Sequence, residues 1–180
     1  MRVIAGRLGG RRLKAPPGRV TRPTSDRVRE ALFAMLGEVQ DACVLDLFAG
    51  SGALGIEALS RGAARAVFVE HDGTAARVLA ENLAALGIDS GVGELRRSDA
   101  GQALRSARAG KETYDLLFID PPYGQAREWA QVLGALLPAL LEPGARVVLE
   151  SDRREPLELE MGIERQRRYG DTLITIHTHQ

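Results

Sequence analysis

The chain has 180 residues, and its 24 Lys and Arg balance its 24 Asp and Glu, so the formal net charge is zero. That length suits one domain with a sizeable core and counts against a dehydrogenase with a separate substrate domain. No apolar run approaches a membrane span, the N-terminus lacks the core of a signal peptide, and the single cysteine, Cys43, has no internal disulfide partner, all of which point to a cytoplasmic protein.

The zero conceals a division. Residues 1 to 30 carry nine basic side chains against Asp26 and Glu30, a net of +7, and the other 150 residues have a net of −7. A basic arm on an acidic body suits a phosphate-rich partner met on one side, the plainer alternative being a solvated extension. Val3, Ile4 and Leu13 flank Gly6, Gly9 and Gly10, the pattern of a short β-hairpin presenting arginines, before a linker at Pro16-Pro17-Gly18. Thr21-Arg22-Pro23-Thr24-Ser25-Asp26 then reads as a helix entry, with Thr24 or Ser25 as cap. The helix is expected to run to about Leu36 with Val28, Ala31, Leu32 and Met35 inward and Gly37 as its stop. Arg27 and Arg29 fall on the opposite face, toward phosphate or solvent.

Val44-Leu45-Asp46-Leu47-Phe48-Ala49-Gly50-Ser51-Gly52-Ala53-Leu54-Gly55 follows, an apolar run that meets closely spaced glycines and then helix formers. Gly50, Gly52 and Gly55 fit G-x-G-x-x-G, in which absent side chains admit a ligand to the backbone at a helix N-terminus. Ala66-Val67-Phe68-Val69-Glu70 ends in an acid twenty residues after Gly50, at the spacing of a ribose-binding carboxylate. The pair predicts an adenosine-bearing cofactor, either a dinucleotide or S-adenosylmethionine. Cys43 reads as a core residue at the wrong end of its strand for a nucleophile.

A helix over 73–86 stopped by Gly87 and a short strand near Val92 to Arg96 lead to Asp99, a cavity residue or the cap of the next helix. Leu116-Leu117-Phe118-Ile119 then runs into Asp120-Pro121-Pro122-Tyr123. A base amino group is a poor nucleophile because its lone pair is delocalised into the ring. One carboxylate and one peptide carbonyl accepting both N–H bonds draw that lone pair back, the prolines leave the carbonyl no competing donor, and Tyr123 can stack on the base. This favours S-adenosylmethionine over a dinucleotide. The last third predicts an amphipathic helix around Trp129 to Leu141, a buried strand Ala145 to Glu150, and a hairpin of Arg165 to Tyr169 and Thr172 to His177 about Gly170-Asp171. His177 and His179 share a strand face with no third metal ligand in view, and no metal is expected.

Strand and helix alternate from Val44 onward, which predicts an α/β fold with a mostly parallel sheet covered by helices on both faces. Gly50, Glu70, Asp99 and Asp120 then converge from the carboxyl ends of four successive strands.

These segments resemble the bacterial small-subunit ribosomal RNA guanine-N2 methyltransferases. The likeness rests on Arg2-Val3-Ile4-Ala5-Gly6 with Gly10-Arg11-Arg12-Leu13, on Thr21-Arg22-Pro23-Thr24 with Arg27, Arg29, Glu30, Ala31, Leu32 and Phe33, on Leu45 to Gly62 with Glu70, and on Asp120-Pro121-Pro122-Tyr123. It is weakest from Arg153 to Arg168. The resemblance implies a Rossmann-like, doubly wound sheet of about seven strands with an antiparallel last strand, over residues 21–180, and an N-terminal hairpin extension over residues 1–20. It implies S-adenosylmethionine bound by Asp46, Phe48, Gly50, Gly52, Glu70 and Asp99, and catalysis by Asp120, Pro121, Pro122 and Tyr123. It further implies contact with 16S ribosomal RNA, in an assembled or assembling small subunit, through Arg7, Arg11, Arg12, Lys14 and Arg22. Two readings of other classes stand beside it, an adenine-N6 methyltransferase acting on DNA and a non-catalytic RNA-binding assembly factor.

Overall fold

The computed structural model describes residues 1–17, 25–122 and 124–180. The motif Thr21-Arg22-Pro23-Thr24, and with it the expected contacts of Arg22 and Tyr123, lie outside the described residues.

Five strands form the parallel part of the sheet: β1 (Cys43–Asp46), β2 (Arg65–Val69), β3 (Gly93–Arg96), β4 (Tyr114–Ile119) and β5 (Leu141–Asp152). β6 (Gly162–Tyr169) and β7 (Thr172–Thr178) complete it in the order β3-β2-β1-β4-β5-β7-β6, with β7 antiparallel to both neighbours. The expected doubly wound α/β sheet with an antiparallel last strand is therefore what the chain adopts. The strand order reverses between β1 and β4, and ligands of open α/β sheets collect outside such a point.

Alternation along the strands builds two cores. Val44, Ala66, Phe68, Leu116, Phe118, Val148 and Ile174 face one side, beneath α1 (Asp26–Leu36), α2 (Ala53–Ser60) and α3 (Gly73–Ala85). Leu45, Val67, Val69, Leu117, Ile119, Val147 and Leu149 face the other, beneath α4 (Ala100–Ala109) and α5 (Ala126–Leu136). No helix among the described residues is long and apolar enough to cross a membrane.

α1 begins at Ser25, whose hydroxyl accepts the Val28 amide, and ends at Gly37 with φ +70°. Its face differs from the expected one. Leu32, Phe33 and Leu36 are buried together with Arg29, while Val28, Ala31 and Met35 are half-buried. α5 also departs from expectation, starting three residues early and ending at Leu136, because Pro138 has no amide to continue the ladder and the chain tightens into a 3₁₀ turn over Leu137–Ala139. β5 starts before Pro143-Gly144, and its register against β4 shifts between Tyr114 and Leu116 to pass them.

The N-terminal segment is a hairpin, with Arg2 bridged to Arg12 and the Val3 amide bonded to the Arg11 carbonyl at 2.9 Å. It is fastened to the body. Glu57 on α2 is buried and accepts the Ile4 and Ala5 amides at 2.7 and 3.1 Å, and the Ser60 hydroxyl donates to the Ala5 carbonyl and accepts the Leu8 amide. A Cβ on Gly6 would fall 1.9 Å from the Ser60 carbonyl oxygen, so only glycine permits this approach. Val3 and Leu13 are buried in the core shared with α1, α2 and α3.

Candidate active site

One cavity of about 560 Å³ opens at the carboxyl ends of β1, β2 and β4, a size within the range of small-molecule sites. Asp46, Phe48, Gly50, Glu70, Asp99, Asp120, Pro121 and Pro122 all line it. The four convergent positions, contributed from four strand ends, therefore line one cavity.

The turn after β1 is laced to the strands on both sides. The Leu47 amide donates to the Phe118 carbonyl and the Ala49 amide to the Val69 carbonyl, each at 3.0 Å. Gly50 has φ +55°, and its amide donates to Glu70 Oε2 at 2.8 Å, while Glu70 Oε1 accepts the Asp72 amide at 2.7 Å. These two amides orient the Glu70 carboxylate at the cavity. Asp99 does two jobs. Its Oδ1 accepts the Gln102 amide at 3.0 Å as the cap of α4, and its side of the loop lines the cavity with Ser98 and Ala100.

Asp46 is almost wholly buried beneath the turn, with Oδ2 accepting the Gly55 amide at 3.0 Å. Burial pushes its carboxyl up to about 7, the nearby Glu70 charge adds to the rise, and the Gly55 bond opposes it. An acid held there titrates near neutrality, and a cation brought into the cavity would favour its ionised form.

Gly52 stands apart from the expected ligand contact. It does not line the cavity. With φ +81° it caps α2, and a Cβ there would lie 2.2 Å from Leu79 Cδ1 on α3, so its missing side chain serves helix packing. Gly55 serves likewise, since its Cβ would meet the Phe68 ring at 2.3 Å. The motif's three glycines thus divide between a cavity-lining turn at Gly50 and close packing at the other two.

The chemistry-bearing strand end is β4. Asp120 is exposed at the cavity, Pro121 is buried and Pro122 exposed. The neighbouring strand adds an acid that its apolar surroundings hid: Leu149 pairs with Ile119, which sets the buried Glu150 beside Asp120 at the same sheet end. An acid closing a parallel strand next to β4 was the available signal. Phe48 and Trp129, the latter expected only as the start of an amphipathic helix, both line the cavity and meet edge to face with centroids 4.9 Å apart.

Arg29 also lines the cavity wall, and its expected position facing phosphate or solvent is corrected by its complete burial. Its Nη2 donates to the Arg2 carbonyl at 2.5 Å and to Asp26 Oδ1 at 2.7 Å, and Nη1 stands 3.9 Å from Glu57. Glu57 in turn accepts from Arg61 Nε at 2.7 Å. This buried network joins α1, α2 and the hairpin, and it draws Arg29 inward. The expected RNA-contact residues lie elsewhere: Arg7 and Arg12 are exposed, Arg11 donates to the Ala85 carbonyl at 2.9 Å, and Lys14 pairs with Glu81 at 2.7 Å.

Comparison with known proteins agrees with this architecture. The family model described as Conserved hypothetical protein 95 matches residues 1–178. A Bacillus subtilis (strain 168) protein named as a candidate rRNA methyltransferase, YlbH, is 40% identical over 186 residues, covering 98% of each chain. Ribosomal RNA small subunit methyltransferase D of Escherichia coli (strain K12) is 45% identical over 124 residues, covering 68% of this chain and 60% of that protein. The solved structure of a candidate methyltransferase, yhhF, from Escherichia coli superposes with a TM-score of 0.83 at 35% identity, over 100% of this chain and 98% of that one. The chain belongs to the Conserved hypothetical protein 95 family and has the fold of the S-adenosylmethionine-dependent methyltransferases.

Proposed function

We propose that this protein methylates the exocyclic N2 of a guanine in small-subunit ribosomal RNA. The observation that carries the reading is that Asp120, Pro121 and Pro122 line the same cavity as Glu70 and Gly50. The relatives named as ribosomal RNA methyltransferases support the substrate class. S-adenosylmethionine, when bound, supplies an electrophilic methyl on a sulfonium. Its donor requirements fit the wall, with the Glu70 carboxylate for ribose hydroxyls and Asp46 for a positive amino-acid end.

The chain's own part is mainly positioning. Asp120 and the Pro121 carbonyl accept the two N–H bonds of the target amine, which turns its lone pair toward the methyl. The guanine leaves its stack to reach them, with Tyr123 as stacking partner. Methylation makes the amine far more acidic, so its proton passes to Asp120 or water afterwards and no strong base is required. The assembled small subunit is the substrate that suits a basic hairpin held rigidly beside the site.

Nucleotide mapping of ribosomal RNA from a strain lacking the gene should show one unmethylated guanine N2, restored by the wild-type protein and not by Asp120→Ala. Asp120→Ala should still bind S-adenosylhomocysteine within a few-fold of wild type, because the lost acceptor acts on the transition state. An unchanged modification map, or near-normal turnover of Asp120→Ala, would overturn the reading.

A further inference from the structure

We propose that the outer strand β6 is a second phosphate-binding edge, holding RNA on the side of the target base opposite the N-terminal hairpin. The inference rests on the ribosomal RNA methyltransferase reading and extends it to a segment with no assigned role.

Seven of the eight residues of β6 are exposed, and the strand has a pairing partner on one side only. Arg165, Arg167 and Arg168 fall on it within four positions, against one acid, Glu164. This reverses the local sign on a body whose net charge beyond residue 30 is −7. Arg167 and Arg168 make no ion pair among the described residues, whereas Arg65 and Arg96 on the opposite half of the sheet are neutralised by Glu94 and Glu112. Arg165 has only its neighbour Glu164 at 3.6 Å, so two of the three basic side chains are left uncompensated at this edge, while those at the other are cancelled.

Register places this edge relative to the chemistry. Arg167 pairs with Ile174, Ile174 pairs with Glu150, and Glu150 sits beside Asp120 because Leu149 pairs with Ile119. Arg167 therefore stands in the same cross-strand row as Asp120, three strands away, about 14 Å at the usual interstrand spacing. β6 also runs parallel to β4, so its carboxyl end lies at the cavity end of the sheet. Arg165 and Arg167 pair with Ile176 and Ile174, whose side chains enter the core under α1 and α2, so both arginines take the sheet face on which the hairpin docks. A strand of RNA whose flipped base reaches Asp120 has its backbone passing over that face, with the hairpin toward β1 to β3 and β6 beyond β5.

Arginines on an edge strand also discourage pairing with other strands, and that role alone leaves RNA affinity untouched. The test separates the two. Binding to small ribosomal subunits from a strain lacking the gene is measured across salt concentrations for wild type, for Arg165→Gln/Arg167→Gln/Arg168→Gln, and for a charge-matched control on α4 and its exit, Arg105→Gln/Arg108→Gln/Lys111→Gln. The β6 variant should lower the log-log salt slope by about one to two units, as loss of the Arg165 and Arg167 phosphate contacts requires, with the control near wild type. S-adenosylhomocysteine affinity should be equal in all three proteins, which verifies folding. Parallel slopes for wild type and the β6 variant, or an equal fall in the α4 control, would overturn the proposal. A wild-type protein that methylates no ribosomal RNA would instead overturn the functional reading beneath it.

Discussion

Glu70 Oε2 accepts the Gly50 amide at 2.8 Å, tying the acid that ends β2 to the glycine turn that follows β1. The two positions are twenty residues apart and act as one unit. The carboxylate fixes the turn's backbone, and the turn fixes the direction in which the carboxylate faces the cavity. The Asp72 amide on Oε1 completes the arrangement and leads directly into the cap of α3, where Asp72 Oδ1 accepts the Thr74 and Ala75 amides.

Replacing Glu70 should therefore do more than delete the proposed ribose contact. Glu70→Ala leaves two amides without their acceptor, each costing about 1–3 kcal/mol where buried. We expect weaker S-adenosylhomocysteine binding by more than tenfold together with a lower unfolding midpoint. Glu70→Gln keeps one acceptor oxygen and should fall between. Calorimetry and thermal unfolding on the three proteins check this, and an Ala variant with native stability and affinity would remove Glu70 from the site.

The raised carboxyl of Asp46 makes a pH prediction. With its carboxyl pushed from the ordinary 3.8 up to about 7, the apo fold prefers the protonated acid below that pH. Its contribution to stability is complete below the unfolded value and is lost as pH rises through about 7. A cofactor bearing positive charge prefers the ionised acid, so affinity should rise with pH up to about 7 and level off above it. Below 7, binding should release a proton, visible as a buffer-dependent enthalpy. Asp46→Asn should abolish both effects, and a wild-type affinity that does not vary between pH 5.5 and 8.5 would exclude Asp46 from contact with the cofactor's charge.

What the sequence disclosed follows the range of its signals. Gly50, Glu70 and Asp120 were readable because each follows closely on an apolar strand, and strand ends converge in a parallel sheet whatever the details of packing. Arg29 was not readable, since periodicity counts arginine as polar. Its reasons to turn inward are Asp26 one turn back, Glu57 twenty-eight residues later and the Arg2 carbonyl, and the last two are distant in sequence. Glu150 closes its apolar run as Asp120 does, but no motif follows it to mark it out. The spacing G-x-G-x-x-G says that side chains are excluded but not by what, and at Gly52 the excluding atom belongs to Leu79 on the next helix.

That last relationship can be tested directly. Gly52→Ala puts a Cβ 2.2 Å from Leu79 Cδ1 at a backbone φ of +81°, so both crowding and left-handed strain oppose it. Overpacking costs about 1–3 kcal/mol and the backbone about 1–2 more. In a Leu79→Ala background the crowding part should vanish and the same substitution should cost visibly less. A urea-denaturation double-mutant cycle measures the coupling. Additive effects would mean that Gly52 meets something other than Leu79.

The hairpin's basic side chains differ in how much charge they have left to offer. Lys14 pairs with Glu81, and its own amide and carbonyl are held by Asn82, which also donates to the Ser51 carbonyl at 2.9 Å. The Glu81 carboxyl is held below its usual range by that lysine. Arg11 is engaged with the end of α3 through the Ala85 carbonyl. Arg7 and Arg12 are exposed and make no ion pair among the described residues. If the hairpin docks phosphate, Arg7→Gln/Arg12→Gln should lower the log-log salt slope of small-subunit binding by about one to two units. Arg11→Gln/Lys14→Gln should change that slope less, because those groups already serve internal partners. Cofactor affinity should stay within a few-fold in the first pair, since neither Arg7 nor Arg12 lines the cavity. Titrations at four or more salt concentrations settle the order, and a larger slope change in the Arg11 and Lys14 pair would mean that RNA displaces these internal contacts when it binds.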